Sequence, residues 1–188
     1  MHRPFHQNKA TLEAGLPEIE AAPKGKGTLD WLVARPETGA RVILEEAHLE
    51  LRDGLVGDNW KARGSSKTED GGPHPELQIT LTNIRATKLI AQTQERWALM
   101  GDQLYVDLSL SEADLPVGSR LAIGEEAIVE ITPYPHNGCK KYAERFGVEA
   151  VKFVNSPKGK ALHLRGVNAR VIQAGIIRRG DTVTKLSP

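Results

Sequence analysis

The residue types best suited to chemistry gather around position 139. The segment Pro133-Tyr-Pro-His-Asn-Gly-Cys-Lys-Lys-Tyr-Ala-Glu-Arg-Phe-Gly147 holds the single cysteine of the chain. The Pro, Asn and Gly ahead of Cys139 specify a tight turn and the residues after it read as a helix, which puts the thiol at a helix N-terminus. There the free backbone N–H groups, the positive end of the helix dipole and the neighbouring Lys140, Lys141 and Arg145 favour thiolate and predict a lowered pKa. Such a thiolate is a reactive nucleophile or a soft metal ligand. The alternative is an inert buried cysteine acting as a small hydrophobe, and the polar turn with its adjacent lysines argues against it.

A second set lies upstream. Gly57–Pro75, which carries Asp58, Lys61 and Arg63, is long, polar and glycine-rich, and loops of that length are often functional or disordered. The bland reading of Lys61 and Arg63 is a mobile surface loop, with Trp60 anchoring it on the core. Charge adds a hint. The 188 residues carry a net +1, yet residues 139–188 hold eleven Lys and Arg against three acidic residues, a net +8, while residues 1–138 carry −7. A basic final quarter suits an anionic partner, either a phosphorylated small molecule or nucleic acid, although a solvated cationic face has the same composition.

The elements that must position these groups read mainly as short strands. Leu77–Leu81 and Leu104–Leu110 alternate apolar with polar at period two, and Arg41–Leu44, His48–Leu51, Arg120–Ile123, Ala127–Thr132, Ala169–Gln173 and Thr182–Leu186 are further candidates. Turn signals separate them at Asp53-Gly54, Gly57-Asp58, Gly124 and Gly180-Asp181. Helices are fewer. Thr82-Asn83 can cap one that runs through Trp97 to Gly101, a second starts near Cys139 and stops at Gly147, and Val148–Val154 fits either a short helix or a strand. Many short strands, frequent turns and a few helices specify a mainly β, barrel-like fold.

Composition excludes several classes. One cysteine rules out an intrachain disulfide framework, a four-cysteine zinc ribbon and a cysteine-ligated iron–sulfur cluster within one chain. No uncharged apolar run approaches the ~18 residues of a membrane span. Residues 1–20 show no apolar core of a secretory signal, so a reducing, cytoplasmic location without membrane contact is expected.

With these residues in view, the chain resembles the MOSC domain family, the C-terminal module of molybdenum cofactor sulfurases that also occurs alone. The resemblance rests on Leu115-Pro-Val-Gly-Ser-Arg-Leu-Ala-Ile-Gly124, Ile128-Val-Glu-Ile-Thr132, the His136-Asn-Gly-Cys-Lys-Lys141 element and Arg165–Val183, together with Gly54-Leu-Val-Gly-Asp58 upstream. It implies a MOSC-type β-barrel with a few short helices at residues 26–188, after a loosely ordered lead-in at 1–25. It also implies a stand-alone, bacterial-type member whose Cys139 either ligates molybdenum in a molybdopterin cofactor or carries sulfane sulfur as a persulfide. Residue by residue, the family cysteine is Cys139, the turn before it is His136-Asn137-Gly138, and the upstream glycine–aspartate is Gly57-Asp58. Gly180-Asp181 matches a turn of structural character. Because molybdopterin carries a phosphate, Lys61, Arg63, Lys140 and Arg165 become candidates to hold it.

Two activities are compatible with the resemblance, a molybdenum-cofactor-dependent reductase and a sulfur transferase. Amidoxime-reducing relatives carry a further N-terminal barrel for which these 188 residues leave no room, so independent reductase activity is not implied. No pyridoxal-phosphate lysine motif is evident, which makes a cysteine desulfurase or other protein the expected sulfur donor; a reductase would need a redox partner. Outside the family, the alternative function is a nucleic-acid-binding small β-barrel with a basic C-terminal face. Such binding usually wants aromatic stacking platforms among the cations, and the tail offers only Tyr142 and Phe153. A cysteine hydrolase lacks a recognisable base, and His136 with Cys139 is too sparse a pattern for zinc.

Overall fold

A computed structural model describes residues 6–187. Its strands are β1 (Lys26–Ala34), β2 (Val42–Leu44), β3 (Glu46–Glu50), β4 (Gly54–Leu55), β5 (Ile79–Asn83) and β6 (Leu104–Asp107). They continue as β7 (Arg120–Ile123), β8 (Ala127–Ile131), β9 (Val167–Gln173), β10 (Gly175–Arg178) and β11 (Thr182–Lys185). The order β11-β7-β8-β9-β5-β6-β1 closes through a β1–β11 pairing, so seven strands form a barrel, as expected for a mainly β, MOSC-type chain.

Closure depends on the length of β1. One edge pairs with β6, while the other pairs with β11 over Lys26–Thr28 and with β2 over Leu32–Ala34. A register shift against β6 between Leu29 and Trp31 moves the inward side. Leu29, Leu32 and Ala34 therefore enter the barrel core, and Trp31 and Val33 face outward. This break in alternation is why period-two reasoning passed over the longest strand. The short β10 and β4 also escaped it, and Leu77, read as strand, belongs to a 3-10 turn at Pro75–Leu77.

The barrel pairs are antiparallel except β5 with β6. A parallel pair needs a crossover, and α4 (Ile84–Ala91) with a 3-10 segment at Gln94–Met100 supplies it. The Asn83 side chain caps α4 by accepting from Arg85 N and Ala86 N. The helix expected to continue through Trp97 stops at Gln92, whose φ of 65° is left-handed, and the 3-10 segment ends at Gly101. Helix α5 (Lys140–Phe146) stops at Gly147, as read from the sequence, and Val148–Asn155 forms α6, not a strand. A short α7 (Pro157–Ala161) follows.

The small sheet β10-β3-β4 contributes Ala47, Leu49, Leu55 and Ile177 to the barrel core. A second core lies outside the β1–β6 wall, where Trp31, Val33 and Tyr105 meet Ile84 and Ile90 of α4 and Tyr142 and Phe146 of α5. Among the described residues no helix is long and apolar enough to cross a membrane.

The stretch expected as a loosely ordered lead-in departs from that reading. Residues 1–5 lie outside the described residues, but Lys9–Ala14 (α1) and Leu16–Glu20 (α2) are helical, with Asn8 capping α1 through Thr11 N. Leu12 and Ile19 are buried in the outer core, and the apolar side chains there outweigh the local Gly and Pro content. Leu12→Ala should cost about 2–5 kcal/mol of unfolding free energy, the range for emptying a fully buried leucine site. Guanidinium unfolding measures it, and an unchanged midpoint would show that α1 adds nothing to the core.

Candidate functional site

The C-terminal end of the 3-10 segment Gln94–Met100 organises the site. A helix end leaves backbone carbonyls without partners and carries partial negative charge. Here four successive carbonyls each receive a different guanidinium. Arg41 Nε donates to Ala98 O at 3.2 Å, Arg145 Nη1 to Leu99 O at 2.8 Å, Arg165 Nη2 to Met100 O at 2.9 Å and Arg35 Nη1 to Gly101 O at 2.9 Å. Gly101, with φ of 90°, lies amid them; a Cβ there would come within 3.7–3.9 Å of the nitrogens of Arg145, Arg165 and Arg41.

Two buried carboxylates fix the innermost arginines. Asp58 takes a two-pronged contact from Arg35, at 2.8 and 3.0 Å, and also accepts from Arg35 N and Trp60 N. Asp102 Oδ2 accepts from Arg165 Nη1 at 2.6 Å. Both carboxylate side chains are fully buried. Burial pushes the Asp102 carboxyl up from its ordinary range, against the pull of Arg165, Arg35 and Arg41. Burial alone would lower Arg165, and the partnership with Asp102 reverses the direction and holds the guanidinium charged.

Arg35, Arg41, Arg145 and Arg165 line a cavity of about 460 Å³ with Arg63, Lys141 and Cys139. Six cationic side chains face Glu37 and Glu144 across it. With Asp58 and Asp102 also set against them, a net charge of about +2 remains. Repulsion among these cations adds to the effect of burial. Burial first, and then Arg145 and Arg35, lower the pKa of Arg41; burial first, and then Arg35, lower that of Arg63. An anion in the cavity would offset the repulsive part of both shifts.

Cys139 is the N-cap residue of α5 and its side chain is exposed. The preceding peptide is clamped: Gly138 N donates to Asn155 Oδ1 at 2.9 Å and Asn155 Nδ2 donates to Gly138 O at 3.0 Å. A Cβ on Gly138 would meet Val154 Cγ2 at 2.9 Å, so the clamp needs glycine. The turn ahead is held by Asn168 Nδ2, which donates to Tyr134 O. His136 Nε2 lies 3.5 Å from Asp102 Oδ1, and its pKa is pushed well below the usual value by burial and by Arg165 and Arg35. His136 is therefore a neutral ring beside Asp102. Among the described residues no group of three or more His, Cys, Asp or Glu is arranged to hold a metal, so zinc on His136 and Cys139 lacks its further ligands.

Of the residues singled out in the sequence, Cys139, Arg63, Lys141, Arg145 and Arg165 meet in this one cavity. Asp58 stands behind it as the partner of Arg35, and Gly57, with φ of 91°, turns the chain into Asp58. Asn137 lines a neighbouring cavity. Lys61 pairs with Asp53 on the surface, and Lys140 is an exposed residue that lines neither cavity. Trp60 anchors the upstream loop, being buried with its indole N–H donating to His74 O at 3.1 Å.

Sequence reasoning missed Arg35, Arg41 and Asp102. Arg35, Arg41 and Arg63 come from residues 1–138, whose net charge is negative, so a charge count by segment pointed away from them. A signal existed in the repeated Gly-Asp pair. Gly57-Asp58, Gly101-Asp102 and Gly180-Asp181 each place a left-handed glycine before a carboxylate that bonds an arginine residue, through the side chain in the first two and through Arg178 N in the third. The third is a turn between β10 and β11, in keeping with its structural reading.

Comparison with known proteins fits this architecture. The YUAD protein from Bacillus subtilis superposes with a TM-score of 0.65 at 13% identity, covering 86% of this chain and 96% of that one. YiiM from Escherichia coli gives 0.54 at 18% identity, covering 86% and 70%. YiiM from Geobacillus stearothermophilus gives 0.51 at 16% identity, covering 86% and 75%. At these identities the likeness is one of fold. A search among curated proteins finds no match. The sequence profile of the MOSC domain matches residues 75–184, more than half of the chain, and the protein therefore belongs to the MOSC domain family.

Proposed function

We propose that this chain binds a phosphorylated molybdopterin-type molybdenum cofactor in the arginine-lined cavity, with the Cys139 thiolate as its sulfur group. The observation that carries this reading is the convergence of five guanidiniums and Cys139 on one cavity. The donor set fits both ends of the cofactor. A phosphate monoester carries about −1.5 to −2 charges near neutral pH, close to the excess in the cavity, and guanidiniums are its usual partners. A thiolate is a soft ligand suited to a sulfur-rich molybdenum centre. The cofactor would supply redox chemistry. The chain's residues would hold its anionic end with Arg41, Arg63 and Arg145, and keep the peptide before Cys139 fixed through Asn155.

A second reading uses the same thiol as a persulfide carrier, and the exposure of Cys139 favours it, because a sulfur donor must reach the thiolate. A cysteine desulfurase would be that donor, a redox partner would serve the reductase reading, and a reducing compartment such as the cytoplasm would keep the thiol free. Binding to nucleic acid is less well supported. The basic C-terminal residues do not form a free face: Arg170 pairs with Glu130, Arg178 with Glu46, Arg179 with Glu45 and Lys158 with Glu20.

Protein purified from molybdenum-replete cells should contain metal by elemental analysis and pterin by fluorescence after oxidation, and Cys139→Ser should lose the metal or its redox activity while keeping the fold. If the cysteine is a carrier, incubation with a cysteine desulfurase should add one cyanide-labile sulfur to the wild type and none to the variant. Absence of metal, pterin and persulfide would sink the proposal.

The anion site has its own readout. Inorganic phosphate at constant ionic strength should raise the thermal midpoint of cofactor-free protein, by mass action on the folded state. Arg41→Gln and Arg63→Gln should each weaken the apparent phosphate affinity about tenfold, the loss expected for a charge-assisted contact worth about 1.4 kcal/mol. An equal rise in wild type and both variants would move the phosphate elsewhere.

A further inference from the structure

A second cavity, of about 600 Å³, lies on the other side of the segment that leads into Cys139. Arg165 is the one residue that lines both. Nothing in the proposed role of Cys139 uses this space. Its floor is buried and apolar, with Ile131, Val154 and Val167, and Pro133, Tyr134 and Pro135 form one wall. The buried polar groups of the floor are already engaged: Thr132 Oγ1 donates to Glu76 O at 2.6 Å, and Asn168 Nδ2 donates to Tyr134 O at 2.9 Å. A ligand resting there meets carbon and little that can hydrogen-bond, the usual character of small-molecule sites.

The rim differs from the floor. Lys160 is exposed and forms no ion pair among the described residues, unlike Lys152 and Lys158 of the same region, which hold Glu149 and Glu20. His163 stands nearby in a left-handed conformation with φ of 48°, its Nδ1 fastened 2.5 Å from Leu110 O. The single lining carboxylate, Glu112, approaches His163 Nε2 at 4.0 Å and is largely exposed. Deeper in the wall, His136 Nδ1 is buried without a hydrogen-bond partner. The mouth therefore carries one ammonium, Lys160, which has no ion-pair partner among the described residues, and one carboxylate, Glu112, above an apolar floor.

We propose that this cavity is a binding site for a small, largely apolar molecule carrying one anionic head group, with the head at Lys160 and the apolar body on Ile131, Val154 and Val167. It is distinct from the phosphate-type site, which six cationic side chains line. The size suits a molecule of one or two rings, and the apolar floor disfavours a sugar phosphate or an inorganic anion.

The dye 8-anilinonaphthalene-1-sulfonate has this chemistry and serves as the probe. Folded wild-type protein, cofactor-free and at constant ionic strength, should bind one equivalent with enhanced fluorescence. Lys160→Glu should weaken binding about tenfold by reversing the charge that meets the sulfonate. Val117→Trp, at an exposed mouth position that leaves the core untouched, should weaken it by filling the entrance, with circular dichroism reporting an intact fold. Inorganic phosphate should not displace the dye. Lack of saturable binding, unchanged affinity in either variant, or displacement by phosphate would overturn the assignment.

Discussion

The four carbonyls at the end of the 3-10 segment, each taken by a different arginine, are the constraint on which the site depends. Arg35 directly follows β1, Arg41 precedes β2, Arg145 is in the last turn of α5 and Arg165 leads into β9. These elements are distant in sequence, and the helix terminus is where they are tied together. The parallel β5–β6 pair makes that terminus necessary, because it demands a crossover whose end must lie just before β6. A barrel-topology requirement thus produces a cluster of carbonyls, and the carbonyls collect cations. Asp102, the first residue after Gly101, then serves as the counter-ion beneath the cluster. Removing one partner of a buried pair of this kind leaves an uncompensated charge, typically at a cost of about 3–5 kcal/mol.

The same arrangement separates structural cations from available ones. Arg35 and Arg165 are spent on buried carboxylates as well as carbonyls, with only about a tenth of each side chain exposed. Arg41 and Arg145 are satisfied by backbone oxygens, which carry partial charge and leave most of the positive potential unneutralised. Arg63 has neither a carboxylate partner nor a carbonyl among the described contacts, and stands at the C-terminal end of the short helix Trp60–Arg63, which Trp60 anchors. A site that keeps such repelling groups together forgoes stability in the empty state, a pattern more typical of binding sites than of structural ion pairs.

Legibility from the sequence followed the range of the interactions. Local signals were readable: the cysteine turn before α5, the glycine at 147, the alternating strands around β6 to β8 and the Gly-Asp turn at 180–181. β1 was not, because a bulge between Leu29 and Trp31 breaks the alternation that marks a half-buried strand. The N-terminal helices were not, since their stability comes from a core assembled by residues from α4 and α6, and short helices show little of their own. Site residues divided in the same way. Cys139 announced itself by its turn, whereas Arg35, Arg41 and Asp102 acquire meaning only when the crossover brings them to the same carbonyls.

Arg165 shows why residue roles in this fold cannot be assigned from charge alone. It is bonded to Asp102 and Met100, its guanidinium lies 5.0 Å from the centre of the Tyr142 ring, and it lines both cavities. A substitution there would unseat the buried Asp102, and with it the neighbour that His136 faces at 3.5 Å, before it altered any ligand contact. Loss of binding in such a variant would report on the wall between the cavities. Arg63 on one side and Lys160 on the other carry no such structural duty, so the ligand chemistry of each cavity is best read from the cation that the fold itself leaves unused.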